Sequence, residues 1–201
     1  MKKISKNLLS SFSFLQYRKG FTIIELLIGI AIIAILSAVA LPSMNTFLVN
    51  MRVDNEISEM HRLLLTARNT AINTGRNTTV CPLANGTCTA NWQNDISIFT
   101  NNNNVTDDHK YVAATEELVK IKESIKAGDR LQFANHTRVV YSSTGRLVFP
   151  TVASTFKYCP KDSADNTRAI DISISGRSQT SSDTDNDGKD EDRNGNGIVC
   201  I

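Results

Sequence analysis

Gly20-Phe21-Thr22-Ile23-Ile24-Glu25-Leu26-Leu27 decides how this chain is read. A helix-breaking glycine and a basic leader stand directly before an apolar run, and one carboxylate sits inside that run. Apart from Glu25, residues 21–41 carry no charge, which is long enough to cross a bilayer core of about 30 Å. An ionised Glu in such a segment costs roughly 2.5–3.5 kcal/mol near the helix centre and less near the end, so it requires a reason to be there. A positive partner supplied by another subunit would be one.

Ordinary explanations of the run fit less well. Ala38-Val39-Ala40 resembles a secretory cleavage site, but a secretory h-region spans about 7–15 residues and carries no acid. A simple membrane anchor accounts for the apolar residues and for neither Glu25 nor the Gly-Phe junction. A buried core helix is excluded by the length of the run. The leader, residues 1–20, carries Lys2, Lys3, Lys6, Arg18 and Lys19 with no acid, which places it on the cytoplasmic side.

A basic leader, a glycine, an apolar run with one Glu, then Pro42 and an amphipathic pattern resemble the class III signal and N-terminal helix of type IV pilins and type II secretion pseudopilins. The resemblance implies that a prepilin peptidase cuts between Gly20 and Phe21 and N-methylates Phe21, leaving the apolar helix on the mature protein. It further implies that Glu25 pairs with the Phe21 amine of a neighbouring subunit, setting the stagger between helices in a filament core. Removing the leader changes the charge balance. The chain has 22 bases and 20 acids, the leader holds five of the bases, and 17 against 20 leaves a side-chain charge of −3. That is not the surface of a dedicated nucleic-acid binder.

Residues 43–74 extend the helix begun by 21–42, because Val53, Ile57, Met60, Leu64, Ala67 and Ala71 recur at spacings of four and three. Arg52, Asp54, Glu56, Glu59, Arg62 and Arg68 fall mostly on other faces, so the stripe reads as core. A helix over 21–74 would be about 80 Å long, bent by Pro42 and stopped by Gly75. Residues 75–201 form a β-rich periplasmic domain. Strand-like runs cover 78–81, 96–99, 118–121, 138–141, 147–149, 155–158 and 169–174, separated by Gly, Asn and Asp clusters. Asn101–Asn104 with Asp107 and Asp108 reads as a solvated loop. The expected class is α+β, a long N-terminal helix, its first half transmembrane, packed on a C-terminal antiparallel β-sheet domain.

All four cysteines follow the membrane segment, which fits an oxidising compartment. Of the three pairings available, Cys81–Cys88 and Cys159–Cys200 are expected: the first closes a turn around Asn85-Gly86 and the second ties down the C-terminus. Closing about 40 residues adds roughly 4 kcal/mol on the chain-entropy model. With no C-x-x-C pair and no histidine at ligand spacing, zinc is disfavoured.

Motifs across the globular part narrow the resemblance. Leu65-Thr66-Ala67-Arg68-Asn69-Thr70-Ala71 leads to Thr79-Val80-Cys81-Pro82, then Cys88, Trp92 and Ile98-Phe99. Ser143-Thr144-Gly145-Arg146, Tyr158-Cys159 and Ile172-Ser173-Ile174-Ser175-Gly176-Arg177 follow. This order resembles the FimT/FimU/GspH group of minor pilins and pseudopilins. It implies a non-enzymatic subunit with a single inner-membrane span, assembled with major and minor pilins near the tip of a type IV pilus and supporting its biogenesis. The alternatives are a type II secretion pseudopilin and a FimT-like minor pilin that binds DNA for transformation.

Some FimT-type members bind DNA through a C-terminal Gly-Arg-x-Arg turn. Gly176-Arg177-Ser178-Gln179 keeps the first arginine and replaces the second, and Arg168 and Lys157 would be its helpers. The acids that follow oppose phosphate binding, so filament building is the reading favoured over DNA capture. Those acids have their own pattern: Asp183-x-Asp185-x-Asp187-Gly188 matches the first half of a Ca²⁺ loop. Its twelfth position is Asn194, so Asp190 or Asp192 would have to close the site. His61, His109 and His136 are scattered and form no catalytic constellation, leaving surface and packing roles.

Overall fold

The computed structural model describes residues 20–102, 109–161 and 163–200, so residues 1–19 of the leader and most of the Asn-rich loop lie outside the described residues. Helix α1 (Ile23–Thr74) is followed by strands β1 (Thr78–Ala84), β2 (Thr87–Cys88), β3 (Ile96–Thr100), β4 (Glu117–Lys122) and β5 (Arg130–Gln132). Strands β6 (Val139–Tyr141), β7 (Leu147–Phe149), β8 (Ser154–Cys159), β9 (Arg168–Ile172) and β10 (Ser178–Thr180) complete the order. The class is α+β, a long N-terminal helix and antiparallel sheet. The chain divides into two compact units, Met1–Pro42 and Ser43–Ile201.

In the first unit the helix begins at a built N-cap. The Thr22 hydroxyl oxygen accepts the Glu25 backbone N–H at 3.2 Å, and the Thr22 carbonyl accepts that of Leu26 at 3.2 Å. The first satisfies a donor that every helix start leaves unpaired, and the second is the first intrahelical bond. Phe21, Ile23, Ile24, Leu26, Leu27, Ile33 and Leu36 are all exposed there, Phe21 by 87%. Among the described residues, no helix is long and apolar enough to cross a membrane. Described side chains in this run end at Ala38, whereas the sequence remains apolar to Leu41.

In the second unit the helical stripe is core, as its spacing predicts. Val53, Ile57, Met60, Leu64, Ala67 and Ala71 are at most 5% exposed, and Leu63 joins them. They form one cluster with Val80, Ile98, Val139 and Tyr141 from one sheet and Leu131, Phe156, Tyr158, Ile170 and Ile172 from another. Gly75 ends the helix at φ +67°, a backbone conformation that side chains with a Cβ avoid.

The antiparallel domain is made of two sheets. The larger runs β4-β3-β1-β6-β7 with β2 added on β1, and the smaller runs β10-β9-β8-β5, every strand pair antiparallel. The second sheet was hidden because two of its four strands, β5 and β10, are three residues long and mostly polar. The run expected over 169–174 ends at Ile172, where Ser173–Arg177 turns the chain back. Asn101 is a further correction. It is 1% exposed, its N–H reaches the Asn77 carbonyl, and its side-chain oxygen accepts the Thr79 hydroxyl at 3.0 Å. A buried residue held by its backbone N–H and its side-chain oxygen is part of the structure and not of a solvated loop.

The far face of the larger sheet carries its own small core, in which Cys81, Cys88 and Phe99 pack with Leu83 and Tyr111. Cys81 and Cys88 are bonded there, and Cys159 is bonded to Cys200. Charged links fasten the helix to the strands. Lys122, 2% exposed, lies 2.7 Å from Glu56, and Arg52 lies 2.9 Å from Asp129. Asp129 also accepts the Tyr158 hydroxyl at 2.7 Å and the Lys161 N–H at 3.0 Å.

That buried network sets a pH limit. Burial, and then the hydrogen bond to the Asp129 carboxylate, push the Tyr158 hydroxyl above its ordinary value of 10.0. A raised folded value means the contribution is complete below the unfolded value and is lost as pH rises past it. Unfolding midpoints in denaturant should therefore fall above about pH 10, and Tyr158→Phe should flatten that fall. An unchanged alkaline slope in Tyr158→Phe would show that another group controls it.

Candidate functional site

Three places carry the chemistry expected of this chain. The first is the helix start. Glu25 is exposed in the first turn of α1, one residue position where a carboxylate also complements the positive end of the helix dipole. Its neighbours on both sides are apolar and exposed, so the carboxylate stands alone on a greasy surface. Gly20 and Phe21 precede the first helical residue and are exposed, which leaves their peptide bond accessible. The Thr22 cap is a feature that the sequence reading missed. Its signal was present: Thr22-x-x-Glu25 is a capping-box spacing.

The second place is the turn that carries Arg177, between β9 and β10. Gly176 is buried at φ +78°, and a Cβ there would lie 1.9 Å from the Gly145 carbonyl oxygen. Only glycine fits. Arg177 is exposed beside it, but the structure does not gather the other basic candidates around it. Arg168 starts β9 at the opposite end of the hairpin, 3.3 Å from Asp54 and 3.2 Å from Asp190. Lys157, in β8, donates to the Val199 carbonyl at 3.0 Å. Arg168 and Lys157 are thus tied to acids and to the C-terminal segment, and do not extend a cationic patch from Arg177.

The third place is the acidic turn. Asp183 accepts the backbone N–H groups of Asn186 at 2.7 Å and Gly188 at 3.0 Å, and Asp185 accepts that of Asp187 at 3.0 Å. One carboxylate oxygen from each of Asp183, Asp185, Asp187 and Glu191 lies within 4.8 Å of the others. Glu191, and neither Asp190 nor Asp192, is the fourth member. Short bridges from Ser182 to Glu191 and from Glu191 to Gly197 bring that residue back beside the turn. Asp190 is buried against Arg168 and accepts the Ser181 hydroxyl at 2.6 Å. Asp192 holds the next turn. Its oxygen accepts the N–H groups of Asn196 at 2.9 Å and Asn194 at 2.8 Å, and these bonds, Asn196 first, keep its carboxyl below the usual carboxylate range. Spacing alone pointed to the wrong partners because strand-like bridging, not loop length, positions position 191.

Four hard oxygen donors, three exposed and the buried Glu191 already accepting from Thr184, suit calcium better than a softer metal. Elsewhere, His61 lies 3.3 Å from the Ser178 carbonyl, and the His136 ring packs edge-on to Phe133 and Phe149. The His109 carbonyl accepts the Cys88 N–H at 2.8 Å.

Residues 56–176, more than half of the chain, match the model of the family described as type II transport protein GspH. The chain belongs to that family. Residues 15–41 of this GspH-family chain also match the prokaryotic N-terminal methylation motif, over the junction on which the sequence reading turned. Among solved structures, the type IV minor pilin FimU of Pseudomonas aeruginosa strain PAO1 is 20% identical, with a TM-score of 0.49, over 66% of this chain and 90% of that one. The minor pseudopilin EpsH from the type 2 secretion system of Vibrio cholerae is 12% identical, with a TM-score of 0.44, over 64% and 95%. The GspH-family chain is a minor pilin or pseudopilin, of a family whose members assemble with other pilins or pseudopilins.

Proposed function

We propose that this chain is a minor pilin of a type IV pilus, cut between Gly20 and Phe21 by a prepilin peptidase, N-methylated at Phe21, and incorporated near the filament tip. Residues 21–41 hold it in the inner membrane before assembly, with the globular unit in the periplasm. Glu25 then pairs with the Phe21 amine of a neighbour. The observation that carries this reading is the capped helix start: the methylation motif leads into a helix whose apolar side chains are exposed over its first turns, with Glu25 the one charged residue in 21–41. Helices presenting such a surface bury it against lipid or against each other. The two disulfides fit the periplasmic placement.

Co-purification from sheared filaments tests the host machine. Pilus subunits should accompany the chain. Recovery with secretion-system subunits alone would make it a pseudopilin. DNA capture is not favoured, since Arg168 and Lys157 are engaged elsewhere and the acidic turn follows Arg177 directly.

A second reading concerns the acidic turn, favoured by the four convergent carboxylates. Calcium bound there would stabilise the fold by mass action, about 2.7 kcal/mol at one hundred times its dissociation constant. Thermal unfolding of the full-length protein should therefore move upward with calcium relative to chelator, and Asp183→Asn with Asp187→Asn should remove the shift. Identical midpoints in calcium and chelator would dismiss the reading.

A further inference from the structure

The turn that carries Arg177 has a twin. Ser142-Ser143-Thr144-Gly145-Arg146 and Ser173-Ile174-Ser175-Gly176-Arg177 share the pattern Ser-x-(Ser/Thr)-Gly-Arg. Four hydrogen bonds recur in both, and the second turn adds one from the Ser173 hydroxyl to the Arg177 carbonyl at 3.1 Å. The first serine N–H donates to the arginine carbonyl at 2.8 and 2.9 Å, and the glycine N–H donates to the serine carbonyl at 2.8 Å in both. The arginine N–H reaches the first serine hydroxyl at 3.2 Å in both, and that hydroxyl lies 2.9 Å from the hydroxyl two residues on. Both glycines sit in the left-handed region, at φ +75° and +78°.

The twins meet at their glycines, where a Cβ on Gly176 would strike the Gly145 carbonyl. Arg68, from α1, donates to that same carbonyl at 2.8 Å. Three arginines therefore converge on one corner, with Arg146 and Arg177 exposed. None of the three enters an ion pair among the described residues. Ile72 and Ile174, 45% and 46% exposed, flank the corner. Clustered cations without acids raise one another's energy and favour an anionic partner.

A matching anion lies in this same chain, and among the described residues none of its acids pairs with these arginines. Strands β9 and β10 pair with Ser178 opposite Ile172 and Thr180 opposite Ile170, so the arginine corner caps one end of the hairpin. Segment 183–192 follows from the other end, with Asp183, Asp185, Asp187, Asp190, Glu191 and Asp192 against Lys189 alone. This acidic segment lies wholly beyond the family match, which ends at residue 176. A nucleic-acid phosphate chain fits the corner less well, because the acids belong to the same hairpin and the flanking residues are apolar.

We propose that the Arg68, Arg146 and Arg177 corner docks the acidic 183–192 segment of a second copy of this chain, making a head-to-tail contact between globular units. Such a contact uses a different patch on each copy and so repeats in one direction, as subunits with parallel N-terminal helices require. It goes beyond the filament reading and does not depend on Glu25. Being made by exposed charges, it weakens as salt rises.

The test uses full-length protein in detergent with chelator, two populations carrying donor and acceptor fluorophores, and energy transfer as the readout of self-association. Arg146→Glu with Arg177→Glu should weaken association about tenfold or more, since facing charges turn from attraction to repulsion. Asp183→Lys with Asp187→Lys should do the same, and mixing the two reversed proteins should restore transfer. Near-UV circular dichroism verifies that each variant is folded. Unaltered association in either variant, or no rescue in the mixture, would overturn the contact. Duplex DNA binding lost in the arginine variant, with self-association intact, would overturn it in favour of a nucleic-acid ligand. Glu25→Ala should abolish filament incorporation and leave this contact in place, so the two readings fail separately.

Discussion

Gly176→Ala is expected to destabilise the globular unit by about 4 kcal/mol. A residue with a Cβ held near φ +78° costs roughly 1–2 kcal/mol through its own backbone. The Cβ would also stand 1.9 Å from the Gly145 oxygen, so the two turns must separate. Overpacking of this kind costs roughly 1–3 kcal/mol. Separation further strips the Gly145 carbonyl from Arg68. Gly188→Ala is the control: its φ is +88° but nothing lies within 4 Å of the added methyl. It should cost about 1 kcal/mol from strain alone. Denaturant unfolding of both variants separates backbone strain from collision. Equal losses would show that the turns do not touch as described.

Glu25→Ala should leave membrane insertion intact and reduce incorporation into sheared filaments to near background. Removing the carboxylate makes the apolar run a better membrane segment by roughly 2 kcal/mol or less, given its place near the helix end. The loss therefore falls on assembly, where the neighbour's Phe21 amine would be left unpaired in hydrocarbon. Thr22→Ala separates this from helix capping. It removes the 3.2 Å bond to the Glu25 N–H and costs about 1 kcal/mol of helix start, with little effect on incorporation. Normal incorporation of Glu25→Ala would refute the pairing.

Legibility in the sequence followed the strength of local periodicity. The stripe from Val53 to Ala71 was plain because spacings of three and four over that length have one explanation, and every member is buried. Strands such as β3 and β8 were found because aromatic and branched residues dominate them. By contrast, β5 and β10 exist because neighbours supply their ladders, and Arg-Leu-Gln or Ser-Gln-Thr says nothing of strand on its own. The same applies to the sites. Glu25 stands out in any apolar run, whereas Glu191 joins the acidic turn only through bridges to Ser182 and Gly197. The twin of the Arg177 turn was visible as Ser143-Thr144-Gly145-Arg146, but its contact with Gly176 is tertiary and leaves no trace in either segment.

The intact mass and N-terminal sequence of the protein recovered from membranes test the filament reading most directly. A filament subunit must keep its apolar helix and free its N-terminus beside Glu25. The expected mature chain therefore begins at Phe21, one methyl group heavier than the sequence, with both disulfides closed. A chain that begins after Ala40, or one that retains residues 1–20, would contradict it.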